Sequence, residues 1–404
     1  MKLTLDPGAA ALLDALHAAG YAAYAVGGCV RDSLLGRTAH DWDLCTSALP
    51  QQVMELFGAE QCIPTGLQHG TVTIKYGGQL YETTTFRTEG SYTDGRHPDA
   101  VQFVPDVRED LARRDFTINA MAYNEAEGLV DPFGGQKDLQ NGLLRAVGEP
   151  QQRFTEDALR ILRLYRFAAR FGFAIDPPTA QAAQELCAHL DCVSVERIEE
   201  ELAKLLSAPA PAAYLNEKIL GVVLPELSPE ALAAAKPVVD ACPAGAENLP
   251  IRLAALLLSL GEDGIRRTLK RLRCSNALIE EAAVLVREAV PGVPVSLNIY
   301  ARRLLGKYNL CTVRRIAALG TALQPERAAD FAALSELAEQ LDADSVCCRV
   351  SQLAVNGRDL MAAGVPAGPG IRKILEALLD GVIREEYPNE RQALLAAVQQ
   401  LAAS

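Results

Sequence analysis

The stretch YAAYAVGGCVRDSLLGRTAHDWDLCTS, residues 21–47, decides how the N-terminal part of the chain is built. YAAYAVGG reads as a short strand closing on a glycine turn, and VRDSLLG continues as a helix. DWDLCTS then alternates acidic and apolar positions, the pattern of a strand with one wet and one buried side. Gly27 and Gly28 let backbone N–H groups approach phosphate oxygens, the following helix N-terminus favours anions, and Arg31 adds a charge-assisted fork. Asp41 and Asp43, two apart on a strand, share a face with their Cα atoms roughly 6 to 7 Å apart. Neighbouring carboxylates repel unless a cation neutralises them. Mg²⁺ takes oxygen ligands and keeps water and phosphates in its shell, so this pair beside a phosphate-binding turn points to metal-assisted phosphoryl chemistry. An isolated Asp-x-Asp is more simply a pair of surface carboxylates, but the glycines and the arginine before it reverse that preference.

Working outward, residues 8–19 read as a helix, and another forms around PQQVMELFG. TVTIKYGGQLYETTTFR, residues 71–87, is a hairpin turned at Gly77 and Gly78. On it Glu82, Thr84 and Phe86 share a face, which makes Glu82 a candidate third carboxylate or, more plainly, an edge-strand glutamate. LARRDFTINAMAYN, residues 111–124, sets Arg113, Arg114, Asp115 and Asn119 ahead of an apolar helix. Arg114 and Asn119 suit a triphosphate or ribose; salt-bridged capping is the structural alternative. RFTEDALRILRLYRFAARFGF, residues 153–173, reads as one helix with Thr155 as N-cap and an acidic first turn. Asp157 and Arg160 are neighbours on it, and Arg163, Arg166 and Arg170 continue the ladder in steps of three or four. Leu159, Leu162, Phe167 and Phe171 make its buried side. Surface ion pairs worth a few tenths of a kcal/mol each are the plain explanation of such a ladder.

After DPFGG, residues 131–135, strand signals fade and the remainder reads as helix after helix, with weak boundaries near 140, 207 and 293. A length of 404 residues suits two to four structural units. The start of the chain is no secretory signal, and no segment reaches membrane-spanning length, so a cytoplasmic protein without a membrane or an evident protein partner is expected. Ten cysteines with no Cys-x-x-Cys suggest neither a zinc site nor a disulfide framework. The net charge of −12 argues against a polyanionic partner. The excess is local, however: residues 1–210 hold 29 acidic against 18 basic residues, whereas residues 266–315 hold 11 basic against 3 acidic. That basic stretch is either a set of solvated helix faces or a surface that tracks phosphates.

GGCVRD, DWDL, RRDFTINA and EDALRILR, in that order and spacing, resemble the motifs of the class II tRNA nucleotidyltransferases, the family that also contains bacterial poly(A) polymerases. The match is strong from about residue 20 to 207. The resemblance implies an α+β fold: a small polymerase β-like nucleotidyltransferase head (1–140), then an all-helical neck with the base-reading helix (141–207), body (208–293) and tail (294–404) that hold tRNA. It implies Mg²⁺-dependent addition of CCA to the tRNA 3′ end from CTP and ATP. Carried over by motif, Gly28 and Arg31 meet the triphosphate, Asp41 and Asp43 bind the metal, Arg114 helps seat the nucleotide, Asp157 and Arg160 form the protein template, and Arg163 and Arg166 complete the pocket. From the residues themselves, Gly27, Asp115 and Asn119 are expected beside them at the nucleotide, and Glu82 stays the candidate third catalytic carboxylate. Trp42 departs from the family's usual aliphatic residue.

An accepting aspartate beside a donating arginine suits cytosine and adenine together, since each offers an exocyclic N–H₂ next to a ring acceptor, while uracil and guanine present the reverse. In relatives that complete CCA, a mobile loop at the place of TEGSYTDGRHPDA, residues 88–100, helps convert specificity from C to A. The runner-up readings are a poly(A)-adding or partial (CC- or A-) adding enzyme of the same family and, from another class, a silent RNA-binding scaffold.

Overall fold

The computed structural model describes residues 2–90 and 101–401. Most of the 88–100 segment expected to switch specificity lies outside the described residues. The chain divides after Pro225 into two compact units.

The first unit opens with α1 (Pro7–Ala18), capped by the Asp6 carboxylate, which accepts from the N–H groups of Gly8 and Ala9. Strand β1 (Ala23–Val26) is buried throughout, as its apolar run AYAV requires. It ends at Gly27, where φ is +79°, a conformation open to glycine at little cost, and the chain turns into α2 (Gly28–Leu34). β2 (Leu44–Thr46) lies antiparallel to β1 with Ala25 opposite Leu44. After α3 (Pro50–Phe57) come β3 (Cys62–Gly66), β4 (Thr71–Tyr76) and β5 (Gln79–Thr85). The last two form the hairpin expected at Gly77 and Gly78, both with positive φ. β6 (Arg87–Glu89) and β7 (Val101–Phe103) pair as a separate ribbon before α4 (Val107–Ala112). β8 (Ala122–Asn124) and β9 (Gly128–Val130) complete a seven-stranded mixed sheet of order β3-β4-β5-β2-β1-β8-β9. Tyr24, Val26, Cys45, Phe86, Leu111, Ala122 and Val147 make the core under it.

Helices then take over: α5 (Gly135–Gln140), α6 (Pro150–Glu156), α7 (Leu159–Phe171), α8 (Pro177–Glu185), α9 (Val195–Leu206) and α10 (Glu217–Val223). One short parallel pair, β10 (Leu143–Leu144) with β11 (Ala174–Ile175), persists among them. Segment 208–225 packs with this first unit.

Three local expectations are corrected. Asp41 and Asp43 precede β2, which starts only at Leu44, although the Asp43 carbonyl already accepts from Val26 N–H. Trp42 is 9% exposed and anchors this lead-in segment. Ala122–Asn124, within the apolar run after Asn119, form strand β8 and not a helix; the strand is buried throughout beside β1 and needs no helical periodicity. Finally, residues 153–173 form two helices. Asp157 has φ −143° and ψ 102°, and its side chain accepts from Leu159 N–H, so it ends α6 and opens α7. Local capping by a short acidic side chain competes here with continued helix. Thr155 is not an N-cap; its hydroxyl donates to the Gln151 carbonyl.

The second unit is helical: α11 (Pro229–Ala241), α12 (Leu249–Leu256), α13 (Gly261–Arg271), α14 (Asn276–Ala289), α15 (Leu297–Lys307), α16 (Leu310–Leu323), α17 (Ala328–Ala343), α18 (Gly357–Ala362), α19 (Pro369–Ile383) and α20 (Arg391–Leu401). Cys347 packs with Val355, Leu360, Leu378, Val382 and Leu394 in the core of its last part. No described helix is long and apolar enough to cross a membrane.

In the first unit, α5 rests directly on the turn Thr117–Asn119. A Cβ at Gly135 would lie 2.1 Å from the Thr117 carbonyl oxygen. Gly135→Ala is therefore expected to destabilise the protein by about 1 to 3 kcal/mol, the usual cost of overpacking against backbone. Urea unfolding measures this, and an unchanged midpoint would show that the contact relaxes freely.

Candidate active site

Because β1 and β2 run antiparallel, the end of β1 meets the segment that leads into β2, so the glycine turn and the two aspartates come together at one end of the sheet. β5 is parallel to β2 with Leu44 opposite Thr83, which sets Glu82 beside Asp43 in the register. The Gly27 amide donates to the Met121 carbonyl at 3.1 Å, so this glycine shapes the turn and does not offer its own N–H. A side chain there would also crowd Arg114, whose Nη1 would stand 3.0 Å from a Cβ. Helix α2 has only seven residues, so the cationic side chains rather than its dipole carry the anion-binding capacity.

A cavity of about 530 Å³ opens here. Its wall includes Gly27, Gly28, Arg31, Asp41, Asp43, Arg114, Asp115, Asn119, Arg163 and Arg166, ten of the positions singled out from the sequence. Asp32, His40, Phe167 and Arg170 also line it. Glu82, Asp157 and Arg160 do not.

Asp115 ties the cavity wall together. It is 9% exposed, and its carboxylate accepts from Phe116 N–H, Asn119 Nδ2 and both Nε and Nη2 of Arg163, the last at 2.6 Å. Asn119 in turn accepts from Arg31 Nη1, which links α2 to the same group. Burial alone would raise the Asp115 carboxyl, but the Arg163 charge and the hydrogen bonds from Asn119 and Arg163 hold it down at about 2. Asp110, fully buried on α4, plays the same part for Arg113 and Arg114, with ion pairs of 2.9 and 3.3 Å; these overcome its burial and lower its pKa.

Two residues of α9 escaped the sequence reading. Glu201 is 4% exposed, and its carboxylate lies 2.6 Å from Arg166 Nε and 3.7 Å from Arg163 Nη1. Arg166 stacks on Phe167 at 4.0 Å, and burial depresses its pKa to about 10, which still leaves it charged at neutral pH. Arg197 binds Asp157 at 2.8 Å. Arg160 pairs with Glu156 at 2.9 Å and donates to the carbonyls of Arg153 and Arg113. The ladder of α7 thus pairs mainly with carboxylates from other elements and not along its own face.

Asp43 lines the cavity and is exposed to it. Partial desolvation, together with the charges of Glu82 and Asp41, raises its pKa against the pull of Arg114. Such mutual repulsion is what a divalent cation relieves, so Asp41 and Asp43 fit a two-carboxylate site completed by water and phosphate oxygens. Among the described residues no group of three or more His, Cys, Asp or Glu side chains is arranged to hold an ion.

In the second unit most of the basic stretch is neutralised locally. Arg266 pairs with Glu262 and Glu280, Arg271 with Glu226, Arg287 with Glu262, Arg302 with Glu385, Arg303 with Asp380, Arg314 with Glu339 and Arg315 with Glu281. Arg267, Lys270 and Lys307 are exposed and have no carboxylate partner among the described residues.

Residues 23–145 match the family model described as Poly A polymerase head domain, residues 172–230 the "Probable RNA and SrmB- binding site of polymerase A", and residues 251–398 the tRNA nucleotidyltransferase domain 2. The chain is 38% identical over 392 residues to the CCA-adding enzyme of Lactiplantibacillus plantarum, covering 95% of this chain and 93% of that one. It is 36% identical to the CCA-adding enzyme of Geobacillus stearothermophilus, with 95% and 94% covered. Among solved structures, the Bacillus stearothermophilus CCA-adding enzyme in complex with CTP superposes with a TM-score of 0.84 at 32% identity, over 99% of this chain and 98% of that one.

The depressed carboxyl of Asp115 sets an acid limit. Its folded pKa lies below the unfolded one, so its contribution is present above about pH 4 and is lost as pH falls toward 2. The unfolding free energy of wild type should exceed that of Asp115→Asn by about 2 kcal/mol at pH 7, converging as the pH approaches 2. A difference that stays constant across that range would mean that the carboxylate charge is not what holds Arg163.

Proposed function

The chain belongs to the CCA-adding enzymes of the tRNA nucleotidyltransferase family, and on that premise we propose that it adds C, C and A in turn to the tRNA 3′ end, using CTP and ATP and releasing pyrophosphate. The observation that carries this reading is the cavity itself, where two carboxylates at the sheet end face arginines from α2, α7 and the segment after α4. Such a lining suits a triphosphate whose α-phosphorus is attacked by an RNA 3′ hydroxyl.

Chemistry in this family is metal-dependent. The ion we assign is Mg²⁺, held by Asp41 and Asp43; when bound it supplies charge neutralisation at the triphosphate oxygens. Arg31, Arg114, Arg163 and Arg166 hold the phosphates; the buried carboxylates of Asp110, Asp115 and Glu201 keep the last three oriented before the nucleotide arrives, and Asn119 with Asp32 does so for Arg31. Gly27 and Gly28 leave room for close approach. Asp115 and Asn119 act by fixing Arg163 and Arg31. Glu82, beside Asp43 but off the cavity wall, tunes the charge at the catalytic pair. Asp157 and Arg160 read the base edge. To do so, Asp157 exchanges its Arg197 contact, and Arg160 its Glu156 contact, for the base; the break ahead of Leu159 gives them that freedom. The head (1–140) and neck (141–207) carry these steps, and the body (208–293) and tail (294–404) hold the tRNA. The place of action is the cytoplasm.

Asp43→Ala is expected to abolish CTP incorporation into tRNA lacking its 3′ CCA while leaving tRNA binding and helical content intact. Near-normal incorporation would falsify the metal assignment. Product length on the same substrate separates CCA addition from poly(A) or partial addition.

Asp157→Ala should keep metal-dependent transfer but lose selectivity. The substitution removes the acceptor for N4 of cytosine and N6 of adenine, so discrimination against UTP and GTP, comparing kcat/KM for all four nucleotides, should fall by on the order of 1 to 3 kcal/mol. If all four rates drop together with their ratios preserved, Asp157 serves only as the partner of Arg197.

A further inference from the structure

Three guanidinium groups gather around the ring of Phe171. Those of Arg31, Arg170 and Arg37 lie 4.9, 5.2 and 5.3 Å from its centroid. They come from different places: the middle of α2, the last turn of α7 and the segment that follows α2. Arg31 is buried, with Asp32 on its Nε and Asn119 on its Nη1. The other two face outward. The Arg170 side chain is 49% exposed, and its nearest carboxylate oxygen, on Asp32, is 3.7 Å away. Arg37 is exposed and has no carboxylate partner among the described residues.

One carboxylate, Asp32, therefore faces two of these cations, Arg31 at 2.8 Å and Arg170 at 3.7 Å, and leaves Arg37 unmatched among the described residues. Partial burial and the like charges of Arg31 and Arg37 lower the Arg170 pKa, with Asp32 pulling the other way. Cations kept together on an aromatic face leave positive charge that an anion neutralises. Arg170 lines the nucleotide cavity, whereas Arg37 stands outside its lining. The charge thus begins at the cavity wall and runs outward, which suits a chain of phosphates and not a compact triphosphate.

We propose that Arg37 and Arg170, arrayed on Phe171, form a phosphate subsite for the 3′-terminal phosphodiesters of the RNA acceptor, separate from the triphosphate position at Gly28 and Arg31. This assignment rests on the reading that the chain acts on tRNA. Phosphate oxygens could come from the acceptor backbone or from the nucleotide, and measuring each ligand separately distinguishes the two.

The experiment compares full-length wild type, Arg37→Gln/Arg170→Gln and Arg37→Lys/Arg170→Lys. Equilibrium binding of tRNA lacking its 3′ CCA is measured without nucleotide over a range of salt, and CTP binding is measured separately, with circular dichroism as a check on folding. For the glutamine variant the tRNA Kd should rise about tenfold at low salt, and the log–log salt slope should be shallower by about 0.7 to 0.9 for each of two lost phosphate contacts. CTP affinity should fall by clearly less than tRNA affinity does, and the lysine variant should recover the slope. Unchanged tRNA affinity in the glutamine variant overturns the subsite. So does a loss confined to CTP, which would return both arginines to the triphosphate. If wild type itself binds no tRNA, the functional reading fails; if wild type binds and the variants match it, only this subsite does.

Discussion

A single buried carboxylate organises the catalytic half of this molecule. Asp115 accepts from four donors that belong to its own loop, to the turn at Asn119 and to α7. Removing such a group from water is costly unless every lone pair is matched, and here the match is complete enough to hold the acid ionised down to about pH 2. Through Asn119 it reaches Arg31, and through Arg163 it reaches Glu201 and then Arg166. The arginines that line the cavity are thus fixed relative to one another by a relay of hydrogen bonds and ion pairs and not each by its own helix.

This arrangement explains how an acidic protein handles polyanionic substrates. Around the cavity, Arg114, Arg163 and Arg166 are set by the buried acids Asp110, Asp115 and Glu201. Elsewhere, as along α13 to α16, arginines are matched by surface glutamates, and exposed pairs of that kind contribute little beyond solubility.

Much of the head was legible because its signals are local. Gly27 and Gly28 mark a turn that needs positive φ, and Gly77 and Gly78 mark the hairpin. Asp41 and Asp43 were chemically legible as a pair, yet the regular strand starts only at Leu44, because Trp42 turns inward before pairing with β5 begins. The break at Asp157 was hidden, since arginine and leucine spacing runs across it without interruption while the side chain quietly caps the next helix. Glu201 sits in the acidic run ERIEEELAK, where nothing local separates it from Glu200. Only packing does so: the side chain of one is 5% exposed and that of the other 66%. The Phe171 cluster joins residues more than 130 positions apart, a distance no periodicity can bridge.

Helix α7 has mechanical meaning beyond its side chains. It is one stiff rod with Arg163 pinned by Asp115 part of the way along, an unwound joint at Asp157 and the ring of Phe171 at its far end. At about 1.5 Å per residue, the arms on either side of that pin are roughly 9 and 12 Å long. Further ties, from Arg166 to Glu201 and from Arg170 to Asp32, and a row of buried apolar side chains fix the rod along its length. The spacing between the joint at Asp157 and the ring of Phe171 is therefore set by the rigidity of one helix and not by the loops around it.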